Sequence, residues 1–464
     1  MQFYSMADFL FGPIALLIII FLARVYAKRK MENNPMFKYF LPGLSIKLFG
    51  AFGLCIVYTL YYGGGDTIQY YHDGVCLVKL LFYNPPAFYR IITHAHDPSN
   101  IEFFSTDTGY PTYIRDKETW FVVKLSFIFV LFGFGSIIAT NFLVATFSFM
   151  GVWRLFKVFN NEFPEIQKQL ALTIFFIPSV FFWGSGLLKD SFTFAGTGYF
   201  VYGYYMAFIK KEKILGNLIV AILAALVILS IKPYIFVGLM PGIIFWSVHK
   251  IISQIKGKIA KIATIPLFLL LGAVFGYILL TLLQDQLSAY SIEKILMKSV
   301  VTQQDLKMEY YHGNSFNIGD FEPTIPSMLQ KFPQALSATL FRPFLLEANN
   351  IVMFLSSIEN LLILIFTIRV LIMVRVFGIF RFFLRHHLLT FSLIFSIFFG
   401  FAVGISTSNF GSLVRYKIPC IPFFVASLFI IQHLKQKEID EEKRKTHEEL
   451  NPKELLKIQE KLSS

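Results

Sequence analysis

Five stretches of this chain, Phe9–Ala27, Pro42–Tyr62, Ile214–Ser230, Ile262–Leu282 and Asn349–Ile368, are long and nearly uncharged. Each non-proline residue in such a stretch carries a backbone donor and acceptor that hydrocarbon cannot satisfy, whereas a helix satisfies them within itself. As a helix, each stretch reaches across a hydrocarbon core of roughly 30 Å. The chain therefore reads as all-α, a polytopic transmembrane helical bundle. Composition agrees, because 55% of the 464 residues are hydrophobic and 15% charged, with a mean hydropathy of +0.60. Soluble domains carry about 25% charged residues.

The first apolar run is followed by Lys28-Arg29-Lys30 and by no small-residue cleavage site, so it reads as a retained span. Cys55, Cys76 and Cys420 have no metal-ligand spacing, and neither a zinc site nor a disulfide framework is expected. The net charge of +13 collects in short loops, which points to membrane sidedness and away from nucleic acid. The 55 phenylalanines read as a compositional bias and carry little functional information.

The basic clusters are Lys28–Lys30 with Lys38, Arg154/Lys157/Lys168, Lys210-Lys211 with Lys213, Lys250–Lys261, Arg369/Arg375/Arg381/Arg385, and the end of the chain from Lys435. All fall on one side if the spans are 9–27, 41–62, 138–157, 169–184, 191–209, 214–230, 233–248, 262–282, 349–368, 387–405 and 417–432. That is about 11 crossings of a bacterial cytoplasmic membrane, with the N-terminus outside and the C-terminus cytoplasmic. Trp120–Ser136 is then expected as an interfacial or re-entrant helix, and Val370–Phe383 as an amphipathic surface helix. Residues 1–432 form the bundle, with two long extracytoplasmic loops at 63–118 and 284–346. The charged tail 433–464 is expected as a cytoplasmic helix broken at Asn451-Pro452.

Charge-bearing motifs gather on the expected outer side. Asp66 follows Gly63-Gly64-Gly65 at the end of the second run and precedes Tyr70, Tyr71, His72 and Asp73. A turn holds Trp183, Lys189 and Asp190, and Lys232 stands in another. Arg342-Pro343 is followed by Glu347, and Arg415-Tyr416-Lys417 closes a further outer turn. Glu359 lies about ten residues into an apolar span, where a carboxylate is expensive unless paired. Fixed cations at that depth (Lys189, Lys232, Arg342, Arg415, Lys417) suit a phosphate or pyrophosphate headgroup whose lipid tail lies among the spans. One or two acids, Asp66 and Asp73, suit a base that takes a proton from an attacking hydroxyl. Tyr70, Tyr71, Tyr110, Tyr113 and Trp183 offer faces for sugar rings. Glycosyl transfer from a polyprenyl-phosphate sugar to a glycan acceptor needs these parts.

An acid in the first large outer loop, just after an early span, resembles the GT-C superfamily of lipid-sugar-dependent glycosyltransferases. Gly65-Asp66-Thr67 followed by Tyr70 is also similar to the early Gly-x-Asp…Tyr signature of EpsG-type polysaccharide polymerases. The resemblance covers a dozen residues and the general architecture. It implies sugar transfer from a polyprenyl-linked donor at the outer membrane face, with Asp66 as the loop acid. The second acid is not fixed by it, since Asp73, Asp97 and Asp107 compete, and a divalent cation stays an open question.

Two other readings differ in what they ask of the same residues. A transporter or lipid-linked glycan flippase would line an alternating-access path with them and bind a proton or cation at Glu359. The sequence shows no broken-helix pair for that purpose. A non-catalytic envelope partner would use the outer loops and the tail as docking surfaces.

Overall fold

The computed structural model describes residues 4–254, 315–375 and 385–462, together with a few single positions between them. The expected span 262–282, the basic cluster from 255 onward, most of the 284–346 loop before residue 315, and Arg381 lie outside the described residues.

Among the described residues the protein is helical, with one isolated bridge between Ser315 and Asn409. In chain order the helices are α1 (Met6–Met31), α2 (Phe40–Ile56), α3 (Asp66–Tyr83), α4 (Pro85–Thr93), α5 (Lys117–Phe132) and α6 (Ile137–Glu162). Next come α7 (Gln167–Phe175), α8 (Pro178–Trp183), α9 (Lys189–Tyr204), α10 (Ile214–Ile231) and α11 (Pro233–Gln254). The rest are α12 (Ile325–Gln330), α13 (Phe332–Phe341), α14 (Ile351–Val374), α15 (His387–Ser406), α16 (Phe410–Tyr416) and α17 (Ile421–Leu462). Polar residues just ahead of the apolar runs set several starts by accepting from backbone amides: Asn84 from Ala87, Asp116 from Glu118 and Thr119, Ser136 from Ala139, Asn350 from Met353, and Asn409 from Ser412.

Six helices are long and apolar enough to cross a membrane, and the pair α16–α17, bent by 62°, makes a seventh if counted as one span. The six are α1, α2 with the π-turn Val57–Tyr61, α6, α10, α14 and α15. The sequence-based spans at these places agree. The expected 169–184 span is instead split by Pro178 into α7 and α8, because proline cannot continue the preceding helix. The apolar part of α11, Pro233–Ser247, is shorter than the six spans. α17 runs unbroken across Asn451-Pro452, contrary to the expected break.

Burial separates centre from rim. α6 and α15 are 67% and 72% buried over their most apolar windows, whereas α1 and α10 are 22% buried and present Phe9, Leu17, Phe21, Leu215 and Leu223 outward. Exposed apolar rows of that extent belong against lipid. At the centre, α6 and α9 approach so closely that a Cβ added at Gly198 would collide with the Gly151 carbonyl. Small residues that admit backbone to backbone are how helices pack where water supplies no driving force.

The 63–118 segment is mostly helical. α3 and α4 pack with α5 around Tyr70, Leu77, Leu80, Phe88, Ile91, Phe104, Ile114 and Trp120, a second apolar cluster beside the main one. The Trp120–Ser136 segment thus forms α5 and its following turn, and α5 closes this layer against α3 and α6.

Gly198→Val should lower stability by about 1–3 kcal/mol through forced separation of α6 from α9. Thermal unfolding in detergent will show it as a lowered midpoint, and an unchanged midpoint would contradict the close approach.

Candidate functional site

Four chain segments that are distant in sequence end at one place. α3 begins there with Asp66, α9 with Lys189 and Asp190, the α10–α11 junction supplies Lys232, and α16 supplies Arg415. The charges alternate along a chain of contacts. Asp66 Oδ2 lies 3.0 Å from Arg415 Nη2, which lies 3.3 Å from Asp190 Oδ2; Asp190 Oδ1 accepts from Lys232 Nζ at 2.6 Å. Arg415 Nε also reaches Asp190 Oδ2 at 3.4 Å. Two acids and two bases cancel, which is the condition for holding them away from bulk water.

Exposure grades the chain. The side chains of Asp190 and Lys232 are 3% and 10% exposed, whereas those of Arg415 and Asp66 are 22% and 37% exposed. Asp190 and Lys232 are the fixed foundation and Asp66 is the accessible end. Trp183 lies under the Arg415 guanidinium at 5.8 Å, and Tyr416 under the Lys232 ammonium at 4.9 Å.

Asp66 is placed by its glycines. Gly65 has φ +109° and the Tyr58 ring packs where its Cβ would be, so only glycine delivers the chain into α3 at this angle. On the other side the Tyr113 hydroxyl donates to Asp66 Oδ1 at 3.4 Å. Burial and the Asp66 carboxylate push the Tyr113 phenol up to about 12, so at neutral pH it keeps the proton that it donates.

Asp73, expected as a second acid for chemistry, is committed elsewhere. It sits seven residues after Asp66, hence on the same face of α3 about 10 Å further along. Its side chain is fully buried and accepts from the Thr112 and Tyr113 amides at 2.9 and 2.8 Å, with His72 at 3.0 Å. Asp73 therefore straps the 112–113 segment along α3, which also sets the Tyr113 hydroxyl on Asp66. Tyr70 is likewise buried, with its ring 5.3 Å from that of Tyr113, and offers no free face to a sugar. Tyr110 is 55% exposed and does.

Lys189 stands beside this chain. Its Nζ donates to the Thr119 hydroxyl at 2.6 Å, which in turn donates to Asp116 at 2.6 Å. Lys189 makes no ion pair among the described residues, so two of its three donors stay available. Burial opposes the Asp116 charge, but the Thr119 hydroxyl and amide and the nearby Lys189 outweigh it and hold the carboxyl below its ordinary range. Asp116 and Thr119 are site residues that the sequence reading missed, although the Asp116-x-x-Thr119 cap is legible as a helix start.

The remaining candidates form separate groups. Arg342 pairs with Glu347 and lies over the Phe316 ring at 4.9 Å. Burial opposes the Glu347 charge, yet Arg342 and the Phe344 amide keep its carboxyl below the usual range. Lys417 is fully buried, donating to Asn360 Oδ1 at 2.6 Å and to the Arg342 carbonyl at 3.4 Å. Glu359 accepts from the Ser179 amide and hydroxyl at 2.7 and 2.6 Å. Among the described residues Arg342, Glu347, Lys417 and Glu359 make no hydrogen bond or ion pair with Asp66, Asp190, Arg415, Lys232 or Lys189; of the five expected cations, Arg415 and Lys232 share the ion chain with Lys189 beside it, and Arg342 and Lys417 belong to another group. The α16–α17 bend beside Lys417 is the broken-helix feature that the sequence did not reveal.

Another unforeseen residue is Lys47, a lysine in the middle of α2 that is 3% exposed with its Nζ 5.4 Å from the Phe194 ring. Its signal was a lone cation inside an apolar run. No group of three His, Cys, Asp or Glu side chains able to hold a metal forms among the described residues. Comparison with protein-family models, curated proteins and solved structures gives no match.

Two outcomes check this geometry. Asp190→Asn leaves two cations without their buried counter-charge and should cost about 3–5 kcal/mol in stability, partly restored by adding Lys232→Met; a double-mutant cycle by thermal unfolding measures it. Asp73→Ala should free the 105–116 segment and speed its cleavage in limited proteolysis several-fold, with little change elsewhere.

Proposed function

We propose that the protein is an integral-membrane glycosyltransferase or polysaccharide polymerase of the GT-C kind. It transfers sugar from a polyprenyl-phosphate-linked donor at the outer face of the bacterial cytoplasmic membrane. The observation that carries this reading is the accessible carboxylate of Asp66 resting on Arg415, at the bundle end where α1 and α6 begin. The other end holds Lys28–Lys30, Lys157 and Lys210, which by the positive-inside rule is cytoplasmic. On this reading the N-terminus is outside and the C-terminal tail cytoplasmic, and the expected eleven crossings include the span 262–282, which lies outside the described residues.

The chemistry follows from the parts. An acceptor hydroxyl gives its proton to Asp66 as its oxygen bonds to the sugar's anomeric carbon. The bond from that carbon to the donor phosphate breaks, and the phosphate leaves with the electron pair. Arg415 and Lys189 meet the charge that develops on it, Arg through its planar fork and Lys as a point charge. The exposed ring of Tyr110 is offered to the sugar, while Trp183, buried beneath the Arg415 guanidinium, backs that cation. Asp190 and Lys232 touch none of the reacting atoms in this scheme; they position Arg415.

One observation favours a second reading, a transporter or lipid-linked glycan flippase. The bend at α16–α17 places buried Lys417 against Asn360, next to Glu359 and about ten residues into α14. Discontinuous helices with polar groups near mid-depth are how secondary transporters build binding sites.

Asp66→Asn decides between them. Under the transferase reading it lowers glycan product by about 10²–10⁴-fold while the protein still inserts and unfolds as the parent does. Full product formation by Asp66→Asn removes Asp66 as the base. Ion-coupled substrate flux in proteoliposomes, lost on Glu359→Gln and kept in Asp66→Asn, would favour the transporter.

A further inference from the structure

Arg415 uses its donors unevenly. Nε and Nη2 face Asp190, and Nη2 also faces Asp66, while Nη1 makes no hydrogen bond among the described residues. Its forked edge, Nη1 with Nη2, is the edge that binds two oxygens of a phosphate at once. Asp66 occupies half of that edge. Asp190, at 3% exposure and tied to Lys232, cannot leave without stranding a buried cation. Asp66, at 37% exposure and entered through Gly63 (φ +62°) and Gly65 (φ +109°), can. Beyond their chain neighbours, neither Gly63 nor Gly64 has an atom within 4 Å of where its Cβ would stand, so the space beside these two residues is open, while Gly65 stays packed against Tyr58. Lys189 adds a nearby ammonium with two donors to spare.

We propose that Arg415 is an oxyanion-binding residue at which a phosphate displaces Asp66, so that anion occupancy and the Asp66–Arg415 ion pair exclude each other. The displaced carboxylate loses its cation only when the phosphate group is in place, and is then free to accept a proton. Asp66 thus acts as the resting-state stand-in for the anion. This rests on the reading of Asp66 as base for its catalytic consequence, but the competition itself is a binding property.

The competition has an outcome opposite to that of an ordinary binding residue. If Asp66 competes with the anion, removing its charge tightens anion binding. Full-length protein in nanodiscs is titrated calorimetrically with inorganic pyrophosphate and, separately, prepared with increasing polyprenyl monophosphate in the bilayer. Asp66→Asn and Asp66→Ala should each tighten binding by about fivefold, the scale of a partly exposed ion pair. Arg415→Lys, which keeps the charge and loses the fork, should weaken it by about tenfold. Tightening with both probes establishes a general oxyanion site, and tightening with the lipid alone assigns it to a headgroup. Unchanged or weaker binding of both probes in both Asp66 variants overturns the proposal. Should Asp66→Asn tighten binding while no transferase product is ever found, the displacement stands and the proposed function fails.

Discussion

Asp190 is the residue on which the arrangement of this end of the bundle depends. A carboxylate at 3% exposure requires cations, and it has two from different helices, Lys232 and Arg415. Because breaking a buried pair costs several kcal/mol, the start of α9, the α10–α11 junction and α16 are held to meet. Nothing in their apolar faces demands that register, since apolar side chains are equally content against lipid or one another. The ion chain supplies the specificity, and the Gly151–Gly198 approach below it supplies the closeness.

Much of the fold was legible because the membrane imposes length. Runs of about twenty apolar residues became α1, α2, α10 and α14. What was not legible is rotation about each helix axis. Arg415 and Lys417 looked like neighbours in one turn. Two residues along a helix is about 200° around it, so Arg415 turns to Asp190 and Lys417 to Asn360. The same rule explains Asp73, which does share a face with Asp66 but two turns away, under the 112–113 strap. Spacing fixed the face. Only the tertiary partner fixed the role.

The segment before α6 shows a second limit. Residues 63–118 lack long apolar runs and read as a loop, yet α3, α4 and α5 bury Tyr70, Leu77, Leu80, Ile91 and Trp120 among themselves. Short amphipathic helices of this kind gain little from intrinsic propensity and form through packing. Tyr113 and Asp66 meet because this layer is folded, and the site is therefore as stable as its least buried strap. Asp73 takes two backbone amides of that strap and so links layer stability to site geometry.

α16 joins the two polar groups that the competing readings rely on. It has seven residues, and its end places Arg415 on the accessible ion chain while Lys417, just beyond, sits in the buried network with Asn360 and near Glu359. A helix of about 10 Å that is anchored at one side by Asp190 and at the other by Asn360 has little freedom to tilt. An anion that draws on Arg415 is consequently resisted by the Lys417 anchor, and the bend at residues 417–420 is where any strain would collect. For a transferase this rigidity is an advantage, because a leaving phosphate is best met by donors that need no reorganisation. For an alternating-access carrier the same anchors would have to break in each cycle, with Lys417 and Glu359 left buried and unpaired. The pairing of Asp190, Lys232 and Arg415, with Asp66 the least buried member of that chain, is physically easier to reconcile with a fixed site from which one carboxylate moves.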